Sequence, residues 1–241
     1  MLICGQNLMV SVEAIGSHPK LEYLDCYGAR LTDLYGIGSF PSLKYLNCGS
    51  NRITTLDGLH NCLALSVVKS SFCRLSTLWC RAACPSIEVL LCDSNMLKTL
   101  DGIETYPNLV GLNCSHNFVV SLKGISSCKS IRELDCHDNR LTAISELSGC
   151  SDLRSLACQE NQIENLYGLE VCQHLGYLNC DDNPILNLHP IICLQNLRTV
   201  SFPPAATLNP PIHILEFLAR IAHRQLDTVP AIDDTVQTKC N

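Results

Sequence analysis

Apolar residues return along this chain at a fixed spacing of twenty-two residues. Counted from an apolar anchor as position 1, every complete copy is also apolar at positions 4, 11 and 14. The anchors are Leu21, Leu43, Leu65, Ile87, Leu109, Ile131, Leu153 and Leu175, and Leu197 opens a further, incomplete copy. No insertion or deletion separates the copies, so the chain is an array of repeats in one register.

Each copy predicts one short strand and one turn. Positions 4 and 6 lie two residues apart, so their side chains point to the same face of a strand. A single copy cannot bury that face, whereas stacked copies bury it in a continuous core beneath a parallel sheet. Parallel strands lie about 4.8 Å apart, and the bulkier turns on the opposite side need more space. The stack is therefore predicted to bend, with the sheet on its concave side.

The repeat unit is LxxLxCxxNxLxxLxxLxxCxx, with LxGL and LxGI turns at 56–59 and 100–103. This unit resembles the leucine-rich repeat, and its length and turns are most similar to the SDS22-like and internalin-like class. The resemblance implies an α/β fold: a leucine-rich-repeat solenoid, or curved right-handed superhelix. It places a parallel β-sheet on the concave face and short 3₁₀ or irregular turns on the convex face.

The resemblance covers residues 1–208, which divide into a partial repeat at 1–20, eight repeats at 21–196 and a partial repeat at 197–208. Residues 209–226 are expected to form a C-terminal capping helix, and residues 227–241 a flexible tail. The apolar stripe of this helix is predicted at Ile214, Leu215, Leu218, Ile221 and Ala222. The first strand has no polar cap, so we expect an exposed edge that could pair with another chain, and the oligomeric state stays open.

Composition restricts the cellular compartments and the classes of partner that are expected. The chain carries 17 cysteines, an odd number for 241 residues, which is unlike a small secreted disulfide framework. The first residues, MLICGQNLMV, lack the basic segment and long apolar run of a signal peptide, and no apolar run approaches the ~18 residues of a membrane span. A net charge of −6 argues against nucleic acid as a partner. These features predict a cytoplasmic or nuclear protein.

Two columns of cysteine follow the repeat. Position 6 carries Cys26, Cys48, Cys92, Cys114, Cys136, Cys158 and Cys180, with Ser70 as the exception. Position 20 carries Cys62, Cys84, Cys128, Cys150 and Cys172, and it also accepts Phe40, Tyr106 and Leu194. A buried free cysteine behaves as a small apolar side chain, parallel Cβ vectors disfavour disulfides between rungs, and one thiol per rung does not make a tetrahedral zinc site. We therefore predict a structural core with no cofactor and no metal site.

Asparagine occupies position 9 in six of the eight copies, and Ala29 and Cys73 interrupt this column. The resemblance implies that the asparagine bonds backbone groups across the turn that leaves the strand. The stretch LDCHDNRL at 134–141 combines a thiol, an imidazole and carboxylates. Cys136 belongs to the core column, however, while Asp135 and His137 point the other way, which argues against a catalytic site.

The variable residues point outward at positions 3, 5 and 7, with position 8 beside them. They are aromatic and aliphatic toward the N-terminus and acidic toward the C-terminus, which favours contact with a basic partner. The predicted partner-binding residues are Tyr23, Asp25, Tyr27, Tyr45, Asn47, Lys69, Phe72, Leu91, Glu133, Asp135, His137, Tyr177, Asn179 and Asp181. A rim of arginines at position 10 could contact phosphate or carboxylate groups, although a solvated edge is the simpler interpretation. These arginines are Arg30, Arg52, Arg74 and Arg140.

The copy at 65–86 departs from the others. It has Ser70 and Cys73 at the ladder positions, Arg81 at an otherwise apolar position and the one tryptophan of the chain, Trp79. Cys80 and Cys84, which three residues separate on a turn, could form a thiol pair. Sequence decay in one repeat is the simpler interpretation, and Trp79 is a candidate for a second contact.

These observations predict a non-enzymatic protein-interaction scaffold or regulatory subunit that binds a partner protein on its concave face. The resemblance to SDS22-like proteins implies a protein phosphatase catalytic subunit as the partner, whereas the acidic surface favours a basic protein segment. Two alternatives are an internalin-like cell-surface adhesin and a thiol- or metal-dependent protein.

Overall fold

Ten short strands, one in each coil, form a single parallel sheet in the computed structural model, which describes residues 1–203 and 211–227. The strands are β1 (Leu2–Ile3), β2 (Tyr23–Asp25), β3 (Tyr45–Asn47), β4 (Val67–Lys69), β5 (Val89–Leu91), β6 (Gly111–Asn113), β7 (Glu133–Asp135), β8 (Ser155–Ala157), β9 (Tyr177–Asn179) and β10 (Thr199–Ser201). Their order in the sheet is their order in the sequence. Each residue pairs with the residue one repeat later, as Leu24 does with Leu46, so the sequence period becomes the sheet register.

One apolar core runs the length of the stack, from Val12 to the C-terminal helix. Positions 1, 4, 11 and 14 of every complete copy point into it, and most of these side chains have no exposed surface. Full burial of one such side chain is worth about 1.5–3 kcal/mol, so the repeated columns supply most of the drive to fold.

The opposite side of the coils consists of short 3₁₀ turns and irregular segments. The 3₁₀ turns are Val12–Ile15, Ile37–Ser39, Leu59–Asn61, Ile103–Thr105, Ile125–Ser127, Ser145–Gly149 and His189–Ile191. Several begin after a glycine in the left-handed region, such as Gly124 at φ 94°, where other residues are disfavoured. The predicted solenoid, with its sheet on the concave face and 3₁₀ turns on the convex face, is therefore confirmed.

The cysteines at position 6 are buried, and five of the seven also donate a hydrogen bond to the next strand. The Cys26 thiol donates to the carbonyl of Asn47 at 3.2 Å, and the Cys136 thiol donates to that of Ala157 at 3.4 Å. Ser70, the exception in the column, donates its hydroxyl to the Leu91 carbonyl at 3.1 Å. The column thus supplies a donor to the next strand as well as apolar volume, which explains why serine can replace cysteine.

The asparagines at position 9 bond the backbone of two successive coils. Asn139 donates through its amide nitrogen to the carbonyls of Cys114, Cys136 and His137 at 3.0–3.1 Å. Its side-chain oxygen accepts from the Val119 N–H at 2.8 Å. This pattern recurs at the other five asparagines of the column and matches the role that the resemblance implied.

A single helix, α1 (Ile212–Asp227), packs beside β10 and covers the last coil. Ile214, Phe217 and Ile221 are buried against the core, while Leu215 and Ala222 are exposed. The predicted stripe was wrong at those two residues because Phe217 takes the inward position. The predicted boundary at 208–209, and the predicted tail apart from Asp227, lie outside the described residues. Within the described ranges, no helix combines the length and apolarity that a bilayer crossing requires.

Candidate partner-binding surface

The outer face of the sheet carries two columns of side chains set by the strand register. The first runs through Tyr23, Tyr45, Val67, Val89, Gly111, Glu133, Ser155, Tyr177 and Thr199. The second runs through Asp25, Asn47, Lys69, Leu91, Asn113, Asp135, Ala157, Asn179 and Ser201. Ten of the fourteen predicted binding residues lie in these columns, and the other four flank them.

The N-terminal half of this face holds an apolar cluster that is separate from the core. It consists of Tyr45, Val67 and Val89, which are buried, with Tyr23 and Leu91 packed against them. The rings of Tyr23 and Tyr45 stack with centroids 4.3 Å apart and an interplanar angle of 3°. Burial raises the pKa of the Tyr23 hydroxyl, and the adjacent Tyr45 adds to this shift. Three predicted binding residues, Tyr23, Tyr45 and Leu91, therefore belong to one ordered apolar cluster.

Polar residues fix the edge of this apolar cluster. Asp25 accepts the backbone N–H of Tyr27 at 2.9 Å through one carboxylate oxygen and the Asn47 amide at 3.1 Å through the other. Lys69 Nζ lies 5.6 Å from the centre of the Tyr45 ring, a cation–π distance. These predicted residues are thus held in place by contacts within the sheet.

Two exposed aromatic side chains stand at the margin of the cluster. Tyr27 has 41% of its surface exposed and Phe72 has 60%. Phe72 lies beside an open groove of about 620 Å³, which three rim arginines also line: Arg30, Arg52 and Arg74. The fourth, Arg140, lies apart from them and stacks over Phe118 at 4.8 Å. The rim is therefore continuous only at its N-terminal end.

The C-terminal half of the face is acidic, with carboxylates at Glu133, Asp135, Asp138, Glu160, Asp181 and Asp182. Tyr177 is its exposed aromatic residue, at 40%. Asp181 accepts the Ser201 hydroxyl, and Asn179 accepts the Asp181 N–H at 3.2 Å. Gly111 of β6 lies between the two halves, and the short side chains of Ser155 and Ala157 in β8 interrupt the acidic half itself. The predicted residues thus form two groups rather than one site.

Four side chains in the acidic half form a continuous chain of contacts. His137 Nδ1 lies 2.6 Å from an Asp135 oxygen, and His116 Nδ1 lies 2.7 Å from an Asp138 oxygen. The two Nε2 atoms face each other at 3.0 Å. If both Nδ1 atoms donate to the carboxylates, a hydrogen bond between the Nε2 atoms requires one ring to carry two protons. This row of four side chains can therefore hold a positive charge between its two carboxylates.

Sequence reasoning missed His116 in this chain of contacts. Its signal was the repeat itself, because His116 and Asp138 lie 22 residues apart and so occupy adjacent coils. Cys136, which lies next to His137 in sequence, is fully buried, and burial raises its thiol pKa well above the ordinary range. The thiol and the imidazole therefore lie on opposite faces, as predicted, and do not act together.

A family profile described as Leucine Rich repeats (2 copies) matches residues 19–61, 107–149 and 129–171. These matches cover less than half of the chain, and they agree with the leucine-rich-repeat solenoid described above. No curated protein matches it.

Solved structures share the fold at low sequence identity. An internalin, inlF, from Listeria monocytogenes str. 4b F2365 has a TM-score of 0.69 and 18% identity, covering 81% of this chain and 58% of that one. The functional domain of InlJ from Listeria monocytogenes, which includes a cysteine ladder, has a TM-score of 0.70 and 25% identity, covering 87% and 45%. The plant peptide hormone receptor RGFR1 in complex with RGF2 has a TM-score of 0.67 and 18% identity, covering 83% and 35%. The chain thus spans 58% or less of the length of each of these proteins.

Proposed function

We propose that this protein is a non-enzymatic scaffold that binds a partner protein along the outer face of its sheet. Its fold is one that serves protein interaction, and the outer face carries the variable side chains. The apolar cluster would receive an apolar or aromatic side chain of the partner, and the acidic half would receive basic residues. The proposed ligand is therefore a protein segment that is apolar at one end and basic at the other.

The observation that carries this proposal is the apolar cluster itself. Tyr23, Tyr45, Val67, Val89 and Leu91 gather on the face of the sheet opposite the core. The core fills the other face of the sheet without these residues, which form a separate apolar cluster on the outer face. Stacked tyrosines at the centre of a patch, with polar groups around them, have the composition of a binding hot spot.

The acidic half of the face is expected to affect how fast the partner associates and in which orientation it binds. Six carboxylates on the C-terminal half of the face create a negative field, which accelerates association with a basic segment. The binding should weaken as salt rises, because exposed charges are screened within about 8 Å at 0.15 M ionic strength.

Matched tyrosine pairs test which face binds. Tyr27→Ala with Tyr177→Ala removes two exposed tyrosines from the outer face, while Tyr35→Ala with Tyr167→Ala removes two from the turns on the opposite side, where they are 65% and 55% exposed. Immobilised protein would capture partners in reducing buffer, and mass spectrometry would quantify each one. A partner of the outer face should bind the first variant at least about 30-fold more weakly, or about 2 kcal/mol, and the second variant unchanged.

The reverse result, with the partner lost only from the Tyr35 and Tyr167 variant, would show that the turns form the binding surface. A charge pair refines the test: Glu133→Gln with Asp135→Asn should reduce both the affinity and its salt dependence. If neither tyrosine variant changes the retained partners, the proposed surface is wrong.

Narrower hypotheses concern the cellular compartment of the protein and its specific function. The sixteen cysteines of the described residues are all free, which favours a reducing compartment such as the cytoplasm or nucleus. Regulation of a protein phosphatase rests only on the SDS22 resemblance, and enrichment of a phosphatase catalytic subunit in the capture experiment would support it. The internalin-like resemblance of the repeats motivates a second hypothesis, a cell-surface adhesin, and an internalin is among the similar structures. Surface biotinylation of intact cells would separate the two settings.

A further inference from the structure

The coil at 65–86 builds its turn differently from its neighbours. At position 16, five other copies carry a glycine in the left-handed region, whereas this copy carries Cys80. Position 17 is apolar in every other complete copy and is the exposed Arg81 here. Both flanking coils form a 3₁₀ turn in this region, and coil 65–86 does not. The two substitutions therefore replace the turn with a new local structure.

That structure brings four metal-ligating side chains together, two from each of two successive turns. Cys80 Sγ lies 3.6 Å from Cys84 Sγ and 3.8 Å from His60 Nδ1. His60 Nδ1 lies 3.6 Å from an oxygen of Asp57. One ligand atom each from Asp57, His60 and Cys80 falls within 4.8 Å of the others. We call these four residues the Cys80 cluster.

Three of the six ligand-to-ligand distances in the Cys80 cluster are close to the edges of a zinc tetrahedron. Zinc–sulfur bonds of about 2.3 Å and zinc–nitrogen or zinc–oxygen bonds of about 2.0–2.1 Å imply edges of about 3.8 Å for S–S, 3.6 Å for S–N and 3.4 Å for N–O. The corresponding separations here are 3.6, 3.8 and 3.6 Å. Cys84 lies outside the three residues whose ligand atoms all fall within 4.8 Å of one another, so its side chain would rotate toward the ion, while these three contacts need only small shifts.

The surroundings of the Cys80 cluster suit a structural metal site. The thiols of Cys80 and Cys84 are buried, while the side chains of Asp57 and His60 are each 19% exposed and leave a path from solvent. Arg81 donates its backbone N–H to one Asp57 oxygen at 3.1 Å, and its guanidinium lies 3.4 Å from the other. Such outer contacts orient a metal ligand.

We propose that Asp57, His60, Cys80 and Cys84 bind one zinc ion and so fasten the turn of coil 43–64 to that of coil 65–86. Binding replaces two S–H bonds with two Zn–S bonds and releases two protons to solvent. All four positions of the ion are filled by protein, so the site is structural rather than catalytic. A thiol pair alone would use only two of the four converging groups.

Cobalt as a spectroscopic probe tests the site. The protein would carry Cys193→Ser and Cys240→Ser, since Cys193 is exposed and Cys240 lies outside the described residues. Under reducing, metal-free conditions, one equivalent of Co²⁺ should produce tetrahedral d–d bands and a sulfur-to-cobalt charge-transfer band. One equivalent of Zn²⁺ should then abolish both.

Cys84→Ser and Cys128→Ser form a matched control, because both residues are buried at position 20. Cys84→Ser should lose the charge-transfer intensity of one thiolate and weaken zinc binding by more than the ~100-fold that loss of an outer contact costs. Cys128→Ser should leave the spectrum unchanged. In the unsubstituted cluster, zinc should also slow hydrogen exchange at residues 57–60 and 78–84, which does not depend on any variant folding.

Three results would overturn the proposal. The first is the absence of a saturable cobalt spectrum at one equivalent. The second is the same spectrum in Cys84→Ser as in Cys128→Ser. The third is a peptide crosslinked through Cys80 and Cys84, with no metal bound, from protein purified without reductant; it would assign the two thiols to a disulfide instead.

Discussion

Coil 131–152 and coil 65–86 occupy equivalent places in the same solenoid with very different sequences. Both have a three-residue strand in register with its neighbours and fully buried residues at positions 4, 11 and 14. The first has Cys136, Asn139 and a 3₁₀ turn at Ser145–Gly149. The second has Ser70, Cys73 and no 3₁₀ turn. Strand register and apolar columns are therefore sufficient to hold a coil in place, while the ladders and the turn can be exchanged.

The exchanged parts of coil 65–86 make substitute contacts with its neighbours. The Cys73 thiol contacts the Cys48 carbonyl at 3.4 Å, one of the groups that an asparagine would bond. On the convex side, the Tyr106 hydroxyl donates to the Leu78 carbonyl at 2.8 Å. The backbone there approaches Gly102 so closely that an added Cβ would lie 2.2 Å from the Trp79 nitrogen. The next coil, rather than an internal 3₁₀ turn, supports this segment.

The thiols of the two coils also differ in acidity. Burial raises the pKa of every position-6 cysteine, to about 12 for Cys114 and Cys180. In coil 65–86, the hydrogen bond from Cys84 lowers the pKa of Cys80 and raises that of Cys84. The regular coils thus keep their thiols protonated, whereas the exceptional coil favours a thiolate.

The largest expected effect is a loss of stability in alkali. Because the folded pKa of the ladder thiols lies above the unfolded value of about 8.5, their contribution is complete below pH 8.5 and is lost as pH rises toward about 12. Each thiol loses about 1.4 kcal/mol per pH unit in that window. Urea unfolding under reductant should show a fall of several kcal/mol between pH 7.5 and pH 9.5. In Cys114→Ser the fall should be smaller by one thiol's share, and a flat profile would contradict the expectation.

The next effect concerns the asparagine column. Asn139→Ala leaves the Val119 N–H without a partner. It also removes one of the donors to each of three carbonyls, which keep bonds from Asn117, Asn161 and His116. We therefore expect a loss of about 2 kcal/mol. Cys73→Asn restores the missing rung in coil 65–86 and should gain about 1 kcal/mol. Both are measurable as shifts in the urea midpoint. If Cys73→Asn destabilises, the exceptional coil has a backbone that no longer accommodates the ladder.

The smallest effect is expected when the position-6 donor of one coil, a hydroxyl or a thiol, is replaced by that of the other. Ser70→Cys and Cys136→Ser each keep a donor to the carbonyl of the next strand, so both should change the free energy of unfolding by less than about 1 kcal/mol. Ser70→Ala removes the donor at similar size and serves as the control. A loss from Ser70→Cys as large as that from Ser70→Ala would show that the two donors are not equivalent.

The sequence period was enough to predict the sheet, its register and the core columns, because each depends on spacing between adjacent coils, and the resemblance to leucine-rich repeats implied the bonds of the asparagine column. Contacts that depend on side-chain conformation were not predictable in this way. The thiol hydrogen bond of Cys136, the inward turn of Phe217 and the His116–His137 contact depend on geometry that no spacing reports. The Cys80 cluster was missed for a related reason, since Asp57 and His60 belong to one repeat and the thiols to the next.

Position 8 of the repeat is left-handed in every coil from Gln6 to Asp182, with φ between 48° and 65°. Only Gly28 is a glycine there, and the others include Phe72, His116 and Glu160. A left-handed backbone costs most non-glycine residues about 1 kcal/mol or more. Mutation to glycine would therefore remove this cost and stabilise the fold at each of eight positions along one edge. Selection for something other than stability must oppose the replacement of these residues by glycine. The side chains that are retained at this edge in related sequences will indicate its function.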